Sequence, residues 1–149
     1  MKKPGIVVTL MFCLLVSASV SAQDYKGAVG VRFSSQAALL NTSVSLKYFF
    51  SDMTAVEGLV GVSDPFALGL LVEQHKPFVS GIKYFYGGGL YGAFSGDRRF
   101  GLQGIIGLDY KIPSLPINFS LDWKPELTVT KEFSFESRAL GATVRFTIR

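Results

Sequence analysis

Apolar and polar residues alternate one by one through eight segments of this chain. From Tyr25 onward, Tyr25, Gly27, Val29, Val31 and Phe33 fall on one face, and Lys26, Ala28, Gly30 and Arg32 on the other. A period of two marks a β-strand, because successive side chains leave a pleated backbone on opposite sides. A second strand over 42–50 sets Val44, Leu46, Tyr48 and Phe50 against Ser43, Ser45, Lys47 and Phe49. A third places Val56, Val60 and Val62 opposite Glu57, and a fourth places Phe66, Leu68, Leu70 and Val72 opposite Gly69 and Glu73. The stretch 74–81 contains Pro77 and is expected to be a connection. A fifth strand over 82–94 carries Lys83, aromatic residues on both faces, and Gly87, Gly88 and Gly89. The sixth sets Leu102, Gly104, Ile106, Leu108 and Tyr110 against Gln103, Gly107, Asp109 and Lys111. The seventh sets Ile117, Phe119, Leu121 and Trp123 against Asn118, Ser120, Asp122 and Lys124. The eighth sets Leu140, Ala142, Val144, Phe146 and Ile148 against Gly141, Thr143, Arg145 and Thr147.

Turn signals separate these runs: Ser51 to Met53, Asp64-Pro65, Gly96 to Arg99, and Pro113 to Pro116. No segment carries a helical period. The expected fold is all-β: an eight-stranded antiparallel up-and-down transmembrane β-barrel. Strands of about ten residues are long enough to cross a bilayer when tilted. An even strand count returns both chain ends to the same side.

The polar face is the unusual one. It holds Lys26, Arg32, Lys47, Lys83, Lys124 and Arg145, opposed by Glu57, Glu73, Asp109 and Asp122. Alternating this evenly among glycines, these charges suit a narrow lumen, where ions must pair or stay hydrated. The apolar face would then meet lipid. With the first strand running outward, Tyr25, Tyr48, Phe50, Tyr110 and Phe146 are expected near one membrane boundary, and Phe33 and Trp123 near the other.

The N-terminus fits this destination. Residues 1–22 resemble a cleavable export signal: Lys2 and Lys3, an apolar run from Ile6 to Val16, then Val20, Ser21 and Ala22 before Gln23. The apolar run is too short for a membrane helix, which needs ~20 residues. The single cysteine, Cys13, lies inside this segment behind Met11 and Phe12, so no lipid anchor is expected. The barrel domain is then 23–149, with no cysteine for disulfides or thiolate chemistry. Loss of Lys2 and Lys3 lowers the formal net charge from +4 to about +2, and no basic run remains to suggest nucleic acid.

The segment from Gly104 to Pro125 (GIIGLDYKIPSLPINFSLDWKP) resembles the sixth and seventh strands of small outer-membrane β-barrel proteins common in Bacteroidetes-type bacteria, with an OmpA/OmpX-like barrel architecture. The glycine-aromatic stretch from Tyr84 to Gly92 and the final strand from Gly141 to Ile148 are similar too. The resemblance implies the fold and an outer-membrane location, and it implies little about activity. The chain departs from the common pattern by ending in Arg149, with Phe146 three residues earlier as its nearest aromatic.

Sites of chemistry are few. His75, the only histidine, falls in the expected connection and is read as a solvated turn residue. A general acid–base role needs a positioned partner, and the sequence identifies none. Gly87, Gly89 and Gly92 match G-x-G-x-x-G, but the nucleotide motif needs a helix after its strand. Here the glycines sit among Tyr84, Phe85, Tyr86 and Tyr91, which points to barrel packing. The four carboxylates are read as lumen ion pairs rather than a metal cluster or a glycosidase pair. Asn41-Thr42-Ser43 and Asn118-Phe119-Ser120 match the glycosylation sequon, which carries no weight in a bacterial barrel.

No cofactor, metal or catalytic residue is expected. The partners expected are outer-membrane lipid, the barrel-assembly machinery, and a surface partner meeting the 126–137 loop, where Phe133 and Phe135 alternate with charges. The leading expectation is a non-enzymatic barrel with a structural or surface-interaction role. The alternatives are a narrow pore, a periplasmic barrel binding a lipophilic ligand, and a lipid-modifying enzyme.

Overall fold

A computed structural model describes residues 25–35, 40–96, 98–130 and 132–149. The expected export signal, 1–22, lies outside the described residues. The strands are β1 (Gly27–Ser34), β2 (Thr42–Phe49), β3 (Thr54–Gly61), β4 (Ala67–Val79), β5 (Ile82–Ala93), β6 (Arg99–Lys111), β7 (Ile117–Trp123), β8 (Glu126–Thr128), β9 (Ser134–Glu136) and β10 (Leu140–Ile148). Each of β1 to β6 pairs antiparallel with the next, β10 pairs with both β7 and β1, and the ring is closed. The short strands continue others: β8 pairs with β6 as β7 does, and β9 pairs with β8 as β10 pairs with β7. Ten segments therefore build eight staves of an up-and-down barrel.

The break between β7 and β8 has a local cause. Pro125 has no N–H to give the ladder. Its carbonyl still accepts from Gly104 N at 3.1 Å, and Lys124 N donates to the Ala139 carbonyl at 2.9 Å, so the stave stays in place.

Register fixes the two faces. Val31 lies between Val44 and Val144, and Val144 opposes Phe119, so one apolar row runs around the outside. Val29, Leu46, Leu70, Leu108 and Leu121 are all exposed. The residues between them turn inward and are buried, including Arg32, Lys47, Glu57, Glu73, Asp122 and Arg145. A one-residue slip would exchange the faces, so the alternation itself pins the register. Part of the interior is apolar: Leu40, Leu59, Leu71, Phe85, Tyr91 and Ile105 form one cluster.

Three expectations are corrected. The stretch 74–81 is not a connection: β4 continues to Val79, and only Ser80 and Gly81, both at positive φ (43° and 80°), make the turn. Pro77 is tolerated because the ladder shifts register between Pro77 and Val79, where a missing N–H costs little. The alternation also ends one residue early at the chain start: Tyr25 is buried and Lys26 exposed. Tyr25 packs edge-on against Phe49 inside the barrel, 5.2 Å between ring centres, and so leaves the outer aromatic row. Third, the 126–137 stretch, expected to be an outward loop extending the last hairpin, holds two short strands: β8 continues the β7 stave along β6 within the wall, and β9 pairs with β8.

Candidate functional site in the barrel lumen

Two groups of ions fill the lumen. Nearer the chain termini, Arg145 of β10 makes the central contacts. Its Nε donates to Ser45 Oγ at 2.7 Å, Nη1 donates to Ser120 Oγ at 2.7 Å and to Asn118 Oδ1 at 3.2 Å, and Nη2 binds Glu57 Oε1. A planar guanidinium can serve partners on several strands at once because its five donors fan out in a fixed plane. Glu57 also accepts from Ser45 Oγ. Lys47 Nζ lies 2.7 Å from Glu73 Oε2 and 3.9 Å from Glu57 Oε2, and sits over the Phe85 ring at 4.7 Å. Asn118 Nδ2 donates to Asp109 Oδ2 at 2.9 Å.

Toward the other end, Arg32 forks onto Asp122, with Nη2 to Oδ1 at 2.5 Å and Nε to Oδ2 at 3.2 Å. Gly141 makes room for this fork: a Cβ there would stand 2.3 Å from Arg32 Nη2. Lys124 Nζ lies 2.7 Å from Glu126 Oε1 and donates to Gln103 Oε1 at 3.1 Å, and Gln103 Nε2 donates to the Leu90 carbonyl at 2.9 Å. Among the described residues the buried side chains include four cations and five carboxylates. Buried ions are costly unless paired and hydrogen-bonded, and the strand register brings opposite signs together.

Of the ten residues expected in the lumen, Arg32, Lys47, Glu57, Glu73, Asp109, Asp122, Lys124 and Arg145 lie buried there. Lys83 is half-buried at the terminal mouth. Lys26 is not in the network, because the chain leaves the ladder's alternation before reaching it. Sequence reasoning placed Ser45, Gln103, Asn118 and Ser120 on the inward face without assigning them a part in the network, and it missed Glu126 and His75. Glu126 continues the inward series of Asp122 and Lys124 at a spacing of two, a signal hidden by Pro125.

His75 is corrected from a solvated turn residue to a buried one, 1% exposed. It lies on β4 two residues from Glu73, so both point inward. Its Nε2 is 2.8 Å from Glu73 Oε2, and its ring stacks on Phe85 with centres 4.9 Å apart. Its Nδ1 has no hydrogen-bond partner, and no serine hydroxyl bonds the ring among the described residues. The glycines of the G-x-G-x-x-G match sit in β5, where the neighbouring strand comes close. A Cβ on Gly87 or Gly89 would fall 2.0 Å from Val72 O or 1.7 Å from Leu70 O. Asn118 of the sequon match is buried.

Tyr25, Phe49, His75 and Phe85 form a continuous row of rings, each 4.9–5.2 Å from the next. Beyond this row, at the terminal mouth, lies a cavity of about 370 Å³. Its lining includes Tyr25, Lys26, Phe49, Lys83, Asp109 and Lys111. Burial, with Asp109 adding to it, holds the Tyr25 phenol well above its ordinary range, so its hydroxyl stays neutral.

Fold and site together define a closed eight-stranded antiparallel barrel with an ionic interior and an apolar exterior. No family model, curated protein or solved structure matches the chain.

Proposed function

We propose that this protein is a non-enzymatic integral outer-membrane β-barrel of the small Bacteroidetes type, exported by its N-terminal signal and inserted by the barrel-assembly machinery. The observation that carries this reading is the inverted distribution of polarity. Large apolar side chains face outward on every stave, exposed on all but β3, where Val56 and Val60 are half-buried, whereas arginines, lysines and carboxylates fill the inside. Monomers in water rarely expose apolar patches beyond a few hundred Å². In lipid the same surface is at home, and ring closure leaves no unpaired edge in the wall. Aromatic residues at the two ends support it: Tyr48, Phe50, Phe78 and Tyr110 at one, Phe33, Phe66, Phe100 and Trp123 at the other. Lys76 reaches over the Tyr86 ring at 5.7 Å, a placement suited to an interface where an amine meets water.

The ion pairs favour a plug over a pore, since Arg32 and Arg145 reach carboxylates on other staves across the interior. They also disfavour a lipophilic ligand in the lumen, which would need an apolar lining. A surface-interaction role rests on the β8–β9 hairpin, where Phe133 is 78% exposed and Phe135 stands beside it on β9.

Fractionated cells should yield the mature protein in the outer-membrane band of a density gradient. Its mobility in mild SDS should change on boiling, and the purified protein should show no steady single-channel conductance. A protein released with the soluble periplasm, showing no heat-dependent shift, would overturn the membrane reading. Steady conductance would replace the plug with a pore. Deleting residues 128–136 should leave the heat-dependent shift intact, because it removes β9 and the end of β8 while the β6–β7, β7–β10 and β10–β1 ladders that close the ring remain. Loss of the shift in that deletion would mean that closure of the ring depends on the β8–β9 hairpin.

A further inference from the structure

We propose that the cavity at the terminal mouth binds a small zwitterionic amphiphile of amino-acid or dipeptide chemistry. Three features of one cavity point to that class. The first is Asp109, 4% exposed, whose Oδ1 has no hydrogen-bond partner; Arg145 Nη1, at 4.0 Å, is too far to donate. This oxygen calls for a donor, and an ammonium is the strongest one available. Beside it the Tyr25 hydroxyl, on a side chain 7% exposed, is also unpartnered. The second feature is the cationic lining of Lys26, Lys83 and Lys111. Lys111 Nζ is committed to the Ile112 and Leu115 carbonyls at 2.8 and 2.7 Å, but Lys26 is exposed at the rim and able to meet a carboxylate. The third is Phe49, whose ring gives the cavity an apolar wall.

A simple anion would face Asp109, and a simple cation would meet Lys26 at the rim. A molecule with both charges and an apolar body satisfies all three features. The volume, about 370 Å³, is near the lower end of the ~300–1,000 Å³ typical of ligand pockets, which suits a dipeptide. The ring row from Tyr25 to Phe85 closes the cavity toward the ionic core, so the ligand docks at the mouth and does not pass through. The proposal does not depend on which solvent surrounds the barrel.

The test is isothermal titration of the folded barrel, in detergent micelles or in buffer as its solubility requires. The probes are the dipeptide leucyl-phenylalanine, its N-acetyl form and its C-terminal amide. The free dipeptide should bind saturably, and each capped form at least ten-fold more weakly. Lys26→Ala should erase the preference over the amide, and Asp109→Asn the preference over the acetyl form. Folding of each variant is checked by its circular-dichroism strand signal and a cooperative thermal transition, which read the fold in micelles or in buffer alike. Should Asp109→Asn fail that check, Tyr25→Phe replaces it, with a several-fold loss expected for the free dipeptide. Absence of saturable binding, or equal binding of free and capped forms, overturns the proposal.

Discussion

Arg145→Met is expected to destabilise the folded barrel by about 3–5 kcal/mol, the usual cost of removing one partner from a buried ionic group. Methionine keeps much of the side-chain bulk and removes every donor. Glu57 Oε1 then loses its guanidinium, and Ser45, Ser120 and Asn118 lose a shared partner. Lys47, 3.9 Å from the other Glu57 oxygen, is already drawn to Glu73 and replaces little of the loss. The measurement is a urea or guanidinium titration of folded protein in lipid or detergent, read by the heat-dependent gel shift. Arg145→Lys should recover only part of the loss, because an ammonium cannot span four partners. Adding Glu57→Gln to Arg145→Met should restore about 0.5–3 kcal/mol, the range of coupling between contacting groups. Strictly additive losses in the double variant would show that the pair acts independently and that the network is not the unit described.

Gly89→Ala should be comparably severe, about 3 kcal/mol or more, for a reason unrelated to charge. The added methyl would fall 1.7 Å from Leu70 O and within 2.9 Å of Leu71 Cα. Both atoms belong to the backbone of the adjoining stave, so no rotamer change relieves the clash. Overpacking in a tight interior ordinarily costs about 1–3 kcal/mol when side chains can shift, and here β4 itself must move. Gly104→Ala is the matched control, since its nearest neighbour outside the local chain, Pro125 Cγ, would lie at 3.8 Å. It should stay within about 0.5 kcal/mol of the parent, as surface changes away from special features do. Equal denaturation midpoints for the two variants would mean that β4 and β5 yield freely at this position.

The fold was legible because a period of two carries both strand identity and facing, and it recurs eight times. Asn118, Ser120 and Asp122 alternate so cleanly with Phe119 and Leu121 that the inward and outward sets of β7 follow from the letters alone. Legibility failed where a single residue spoke too loudly. Pro77 suggested a break, but a shift in the ladder absorbs it, so His75 stayed on an inward face beside Glu73. Pro125 similarly concealed Glu126. At the chain start the pattern was carried one residue too far, because nothing in the letters around Lys26 says that Tyr25 turns in to meet Phe49. The partners within the site were beyond sequence reasoning. Arg32 and Asp122 are 90 residues apart, and their meeting depends on stagger and tilt around the closed ring. The unbonded oxygen of Asp109 is likewise a property of packing, not of residue type.

The placement of the two guanidinium groups also bears on how the ring holds shut. Arg32 stands on β1, but its carboxylate is on β7, so the pair reaches over β10. Arg145 stands on β10, but Ser45 and Glu57 are on β2 and β3, so it reaches over β1. The junction of β1 and β10 is the seam where the two ends of the chain meet, the contact of greatest sequence separation and hence of greatest closure entropy. Each arginine acts as a clasp drawn over that seam from the opposite side. Neither can fasten until the seam is shut, and both must let go before it parts.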